Sequence, residues 1–522
     1  MSEIRYHKAK RQFADGVYST VHTVDVPVGR LKFEDLHPMG RYARQQDIAR
    51  MHYARARARG EDRPHILTWA AMQTDRRADQ MFPELNYQTD DGEQIISANS
   101  FITFVLRRLL AEGWLQLHEF IGDSYEWQVD IPAEQRDWRA RAASVLSWLE
   151  ESIQLDLYPN IERGSYRPRI FRSFDERRNF IRIGRCDFIR QFVQNHERQV
   201  AFNTSHFLHE HDDLVSHHSG YGDAIGLMVA ENTILRPPIY RRGALLYDGS
   251  AWRIKSLSLE DIQLVLAGDI ILSASADGSQ RLHLNPAEPQ PIALYTRAGG
   301  WSSGGRPLDR SPAAADRTDF VLVNRQALSW KRGGGLQIPQ NGFVLSFQDG
   351  ALPAQVAADL IDYAWVEYRF ADENNGVQSA IQAGPILMRR GENVLGQSAI
   401  AEEFHPSQGA AVGVSPVNID LGANSQRKAR SALGIKPDGD LLLVVVDGCD
   451  PSFRTDMDSH GASLDELVGI LQEAGAVDAL NLSGDGASHL FVGGGLASLP
   501  SDRRGRRGVF YEGMLPSIGI VN

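Results

Sequence analysis

Residues 441–488 constrain this chain more than any other stretch. An apolar run, LLLVVV, stops at Asp447-Gly448; an amphipathic segment follows; a second apolar run stops at Asn481, just before the loop Ser483-Gly484-Asp485-Gly486-Ala487-Ser488. A continuous aliphatic run fits a strand covered on both faces. Ser463 with Glu466 three positions later is a capping box, Leu464, Leu467, Val468 and Leu471 recur at helical spacing, and Gly475 stands where a helix stops. The pattern predicts strand, helix and strand. If the two strands run parallel, Asp447 and Asn481 emerge at one sheet edge, where α/β proteins place their chemistry.

A chain of 522 residues is too long for one ordinary core. A net charge of −11 argues against nucleic acid as a partner, since that needs a basic face. The arginines between Arg41 and Arg59 read as a solvated helix face. Two cysteines, Cys186 and Cys449, make no disulfide framework. The first residues, MSEIRYHKAKRQFADG, lack the apolar core of a secretory signal, and no run has the length of a membrane span. The expectation is a cytoplasmic protein with no membrane partner.

Residues 13–35 alternate as strands do, residues 40–70, 97–115 and 134–155 have helical character, and LQLHEFIG with SYEWQVDI reads as a hairpin. We take 1–165 as an N-terminal helix-and-hairpin module, within which 13–35 are candidate first strands of the main domain. Residues 166–522 form that main domain. Its short strands are punctuated by Gly, Pro and Asn, and its Pro/Gly/Ser-rich stretch 286–315 reads as a surface loop. The class expected is α+β, with an α/β-like C-terminal unit.

The loop after Asn481 has glycines that allow tight turning and close approach of backbone to a ligand. Successive N–H groups in such a loop form an anion nest. Arg430 precedes the LLLVVV run, and an arginine fork suits phosphate. Carboxylate, amide, pliable loop and arginine together fit cleavage of an anionic ester, although an Asp-Gly pair after a strand is most often only a turn.

The order of these motifs resembles the phosphodiester glycosidases of the uncovering-enzyme type. That family has Asp-Gly-Arg, a helix, then Ala-(Leu/Met)-Asn-Leu-Asp-Gly-Gly-Gly-Ser-Ser; here the counterparts are Asp447-Gly448-Cys449 and residues 479–488. Arg430-Ser431-Ala432-Leu433-Gly434 resembles its Arg-Thr-Ala-hydrophobic-Gly segment, Gly384-Pro385-Ile386-Leu387 its Gly-Pro-x-Leu element, and Asn203-Thr204-Ser205-His206-Phe207 its Asn-Gly-Gly-Phe-Phe segment. The resemblance covers about 165–522. It implies a mixed-sheet domain that hydrolyses the bond between a sugar's anomeric carbon and a phosphodiester. The partner is then a small glycosyl phosphodiester.

On this resemblance Asp447, Asp485 and His206 are candidate catalytic residues. Asn203, Asn481, Arg430, Gly484, Gly486 and Ser488 are candidate substrate contacts. The chain departs from the family at Ser483, where the family has Asp, at Cys449, where it has Arg, and at Thr204-Ser205, where it has Gly-Gly. Asp485 returns a carboxylate two positions on. Cys449 reads as a small buried residue rather than a nucleophile. An alternative reading is a degenerate site that binds a sugar phosphate or nucleotide without cleaving it.

Residues 203–223 also carry five histidines among carboxylates. Such density suits a divalent metal, with His209, His211 and Asp213 as candidate ligands, and a metal-dependent phosphoesterase built on 206–223 is a third reading. The spacing matches no standard ligand motif, and a polar active-site loop whose histidines bond sugar hydroxyls or phosphate is the simpler account. No cofactor is otherwise implied.

Overall fold

The computed structural model describes residues 3–36, 87–120, 124–153, 199–208, 216–219, 222–266, 270–297, 308–362, 366–371, 374–402, 426–449 and 458–504, together with shorter stretches that include 515–521. Of the stretch 40–70, expected to be helical, Ala43–Arg44 is a strand paired with Phe180–Ile181 instead; the rest of it, Cys186 and the candidate ligands His209, His211 and Asp213 lie outside the described residues.

The LLLVVV run is strand Leu441–Val446, third in a seven-stranded sheet. Its order is Arg5–Gln12, Tyr18–Val26, Leu441–Val446, Arg430–Ile435, Asp478–Asn481, Ile386–Arg389 and Glu392–Asn393. Every neighbouring pair is antiparallel. Leu441–Val446 and Asp478–Asn481 do run parallel to each other, but Arg430–Ile435 lies between them and hydrogen-bonds to both. The expected α/β-like unit is therefore part of an antiparallel, strand-rich α+β arrangement. The cause is local: Lys436-Pro437-Asp438-Gly439-Asp440 closes a hairpin, with Gly439 at φ 89° and a Lys436 N–H to Asp440 carbonyl bond of 2.9 Å.

Both faces of this sheet are covered, which explains the unbroken apolar run. Leu442, Val444 and Val446 pack with Ala432 beneath helix Leu464–Glu473. Leu441, Leu443 and Val445 pack on the other side, against Phe202, Leu245 and Val521. The helix begins at Ser463, whose hydroxyl accepts from Glu466 N–H while the Glu466 carboxylate accepts from Ser463 N–H. It ends in a Schellman turn: Gly475 at φ 88° donates to Gln472 O, and Ala476 donates to Leu471 O.

The N-terminal strands enter the same body. Tyr18–Val26 pairs with Leu441–Val446, and Leu31–Asp35 pairs with Ser517–Val521, which also pairs with Val200–Asn203. Strand Gln94–Ile95 joins the sheet of Gln326–Gly334. The hairpin Leu115–Phe120/Ser124–Asp130 forms in a four-stranded sheet, with helices Ala98–Ala111 and Arg136–Ile153 flanking it in the chain. No described helix is long and apolar enough to cross a membrane.

Candidate active site

The parallel relation of Leu441–Val446 and Asp478–Asn481 brings Asp447 and Asn481 out at one end of the sheet. Arg430 starts the strand between them, opposite Val446, and so stands at the same end. Ala429, one residue earlier, is gripped from two sides. Gly448 packs so closely that a Cβ there would lie 2.5 Å from Ala429 N, and Asp485 N–H donates to Ala429 O at 2.9 Å.

Asp447 is buried, and both of its oxygens are engaged. Oδ1 accepts from Leu499 N–H at 3.0 Å, and Oδ2 lies 3.0 Å from His22 Nε2. His22 in turn has its Nδ1 2.9 Å from Tyr6 Oη. Since the carboxylate can only accept, His22 donates from Nε2 and takes the Tyr6 proton bond on Nδ1. Burial, and then the charge of Asp447, push the Tyr6 phenol up, which keeps that donor in place. Tyr6, His22 and Asp447 thus form a chain across three adjacent strands. Sequence reading missed His22 and Tyr6, because nothing local links them to a residue more than 400 positions away.

Asp485 has different surroundings. It sits at φ 53° in the turn Asp485–Ala487, its side chain is half exposed, and it pairs with Lys428 Nζ at 3.0 Å. Asp447 and Asp485 thus have different partners, His22 and Leu499 N–H for the first and Lys428 for the second. Arg430 is buried, with Nε donating to Ala462 O at 3.0 Å and Nη2 to Gln426 O at 3.2 Å. Burial pulls its pKa down, and the Asp485 charge opposes that shift. Its Nη1 faces the loop, 4.0 Å from where a Gly484 Cβ would lie. Gly486 packs under the Asp502 carboxylate, which a Cβ there would approach to 2.3 Å and displace.

Asn203 is fully buried and holds the site together from beneath. Its Oδ1 accepts from Ser431 Oγ at 2.8 Å and from His489 N–H at 3.1 Å, and its Nδ2 donates to Ser483 O. The residue expected to touch substrate is thus a positioning residue for the loop. Asn481 donates from Nδ2 to Gly384 O at 3.0 Å, and His206 donates from Nε2 to the same oxygen at 3.2 Å. Asn481 Oδ1 and Ser488 Oγ are buried and have no hydrogen-bond partner among the described residues. Buried polar atoms rarely stay unpaired without a use.

Glu402 was not foreseen. Its buried carboxylate accepts from Gly243 N–H at 2.6 Å and Ile386 N–H at 3.0 Å, and Arg242 donates to its backbone carbonyl. Burial raises its pKa, and the two backbone bonds oppose the rise. A Cβ on Gly384 would meet Glu402 Oε2 at 2.5 Å, and one on Gly243 would meet Leu480 and Ile386 at 2.6 and 2.7 Å. Glu402 therefore staples the Gly384-Pro385 segment, and with it the oxygen that holds Asn481 and His206. Glu402→Gln turns an NH2 toward one of the two donors and should cost roughly 1–2 kcal/mol in a urea titration.

Residues 314–510 match the family model described as phosphodiester glycosidase. That span holds Arg430, Asp447, Asn481 and the loop 483–488, and leaves Asn203 and His206 outside. Among curated proteins no sequence matches the chain. Solved structures similar to it include a hypothetical protein from Synechocystis (18% identity over 78% of this chain and 61% of that one, TM-score 0.36). A putative exported protein from Burkholderia pseudomallei matches at 18% identity over 100% of this chain and 97% of that one, TM-score 0.40. The zebrafish N-acetylglucosamine-1-phosphodiester alpha-N-acetylglucosaminidase catalytic domain, auto-inhibited by pro-peptide, matches at 10% identity over 100% and 83%, TM-score 0.37. The chain thus spans less than two thirds of the Synechocystis protein it matches. Residues 314–510 of this chain are thus similar to the phosphodiester glycosidase family.

Proposed function

We propose that the chain hydrolyses the bond between an anomeric carbon and the phosphate of a glycosyl phosphodiester. The observation that carries this reading is the family match over 314–510, the span whose sheet end gathers Arg430, Asp447 and Asn481. In the proposed reaction the C1–O bond breaks, the phosphate ester leaves with the electron pair, and water adds to the oxocarbenium-like carbon and gives up a proton.

A phosphate ester is a stable anion, so its departure depends on held positive charge more than on a proton donor. Arg430 Nη1, Lys428 and the N–H groups of Gly484 and Gly486 supply that field. Asp447, fixed by His22 and Leu499 N–H, faces developing positive charge at C1. Asp485, the more exposed carboxylate, is the group we assign to take the water's proton. Asn481 Oδ1 and Ser488 Oγ are the unpaired acceptor and hydroxyl that suit sugar hydroxyls. Ser483 in place of the family's Asp marks a changed sugar preference.

The test is steady-state turnover on a panel of glycosyl phosphodiesters and nucleotide sugars, read by mass spectrometry. Arg430→Met should lower kcat/KM by about 10²–10³, in the range seen when one charge-stabilising donor is removed. His206→Gln should lower it by less than about tenfold, because the leaving group needs little protonation. The reverse ranking would overturn the assignment of roles, and tight binding with no product would favour a binding module.

A further inference from the structure

Outside this site, three buried side chains from distant parts of the chain point their ligand atoms at one spot. Glu93, His217 and His218 each offer one atom, all within 4.8 Å of one another. His218 Nε2 lies 2.7 Å from Glu93 Oε1, and His217 Nε2 lies 3.3 Å from the same oxygen. The turn 216–219 makes this convergence possible. Ser219 N–H donates to Ser216 O, and His218 N–H donates to Ser216 Oγ, so two consecutive rings lie 4.0 Å apart, tilted by 45°, instead of pointing to opposite sides.

A hydrogen-bond network alone leaves this cluster incomplete. Glu93 Oε1 takes bonds from His218 and from Ser329 Oγ, while His217 Nε2, fully shielded from water, reaches the same crowded oxygen at 3.3 Å without a well-formed hydrogen bond among the described residues. A buried polar atom so poorly satisfied costs stability. A cation between the two imidazoles and the carboxylate removes that cost. It also gives the surroundings a role. Ser100 Oγ lies 2.8 Å from His218 Nδ1, the outer partner that fixes a ligating imidazole's tautomer, and Ser329 Oγ lies 2.9 Å from His218 Nε2, in reach as a fourth ligand.

From this geometry we infer that Glu93, His217 and His218 form a binding site for a divalent transition metal of the zinc class. Two imidazole nitrogens and one carboxylate oxygen suit Zn²⁺ better than the all-oxygen cations Ca²⁺ or Mg²⁺. All three residues are buried, and a substrate cannot reach the ion, so its role is structural. It clamps the segment before helix Ala98–Ala111 to the turn 216–219 and to strand Gln326–Gly334. The site differs from the candidate ligands His209, His211 and Asp213 considered from the sequence.

The experiment uses the full chain, stripped with chelator and titrated with Zn²⁺ by calorimetry and with Co²⁺ by visible absorption. We expect about one ion per chain, a tetrahedral Co²⁺ spectrum, and a Tm raised by several degrees on adding Zn²⁺. Glu93→Gln, which keeps the packing, and His217→Ala should each weaken binding at least about 100-fold, whereas the double variant His209→Ala/His211→Ala should bind as the parent does. Absence of metal binding by the folded parent protein would overturn the inference. So would binding that survives Glu93→Gln and His217→Ala, or that is lost with the loop variants.

Discussion

Asp447→Asn should lower turnover of a glycosyl phosphodiester by roughly 10²–10⁴-fold while leaving Tm within a few degrees of the parent. The amide has the same shape. Its oxygen still accepts from Leu499 N–H, and its NH2 can meet His22 once the imidazole takes its other tautomer. What is lost is the negative charge that the proposed reaction sets beside C1. A variant that unfolds would show only that the buried pair is structural. One that keeps full turnover would remove Asp447 from the mechanism. Circular dichroism melting and kcat/KM on the same preparation separate these outcomes.

Asn203→Ala should have the opposite profile, a large loss of stability together with loss of activity. It leaves Ser431 Oγ, His489 N–H and the Ser483 carbonyl without the partner that joins them. At about 1–1.5 kcal/mol for each buried bond unmade, the cost is roughly 3–5 kcal/mol, a large share of a typical domain's stability. Urea unfolding measures it directly. Asn203→Asp keeps the acceptor oxygen but sets a carboxylate oxygen against the Ser483 carbonyl, so it should rescue little. Destabilisation below about 1 kcal/mol would mean that the loop 483–489 is held by other contacts.

The parts of this molecule that could be read from sequence are those whose causes lie within a few residues. The capping box at Ser463, the helix face and the Gly475 stop are local events, and each forms as expected. The hairpin at 115–130 and the strand character of 13–35 were legible for the same reason. The antiparallel insertion of Arg430–Ile435 was announced by Pro437-Asp438-Gly439. The strand-helix-strand pattern fixes direction only, and periodicity does not say which strands are neighbours.

The site divides along the same line. Arg430, Asp447 and Asn481 share a sheet end because strand direction follows from the helix that joins two of them. What sequence could not show is which groups are already spent. Asp447 is engaged by His22 from the second strand of the chain, and Asn203 is tied to three partners rather than to solvent. Glu402 escaped notice because its partners are backbone N–H groups, which leave no mark on side-chain patterns.

The central claim is cleavage at carbon rather than at phosphorus, and hydrolysis in H₂¹⁸O tests it most directly. Attack of water on the anomeric carbon places ¹⁸O in the released sugar and leaves the phosphate ester unlabelled. Mass spectra showing the label in the phosphate product, with unlabelled sugar, would mean a phosphoesterase and contradict the account.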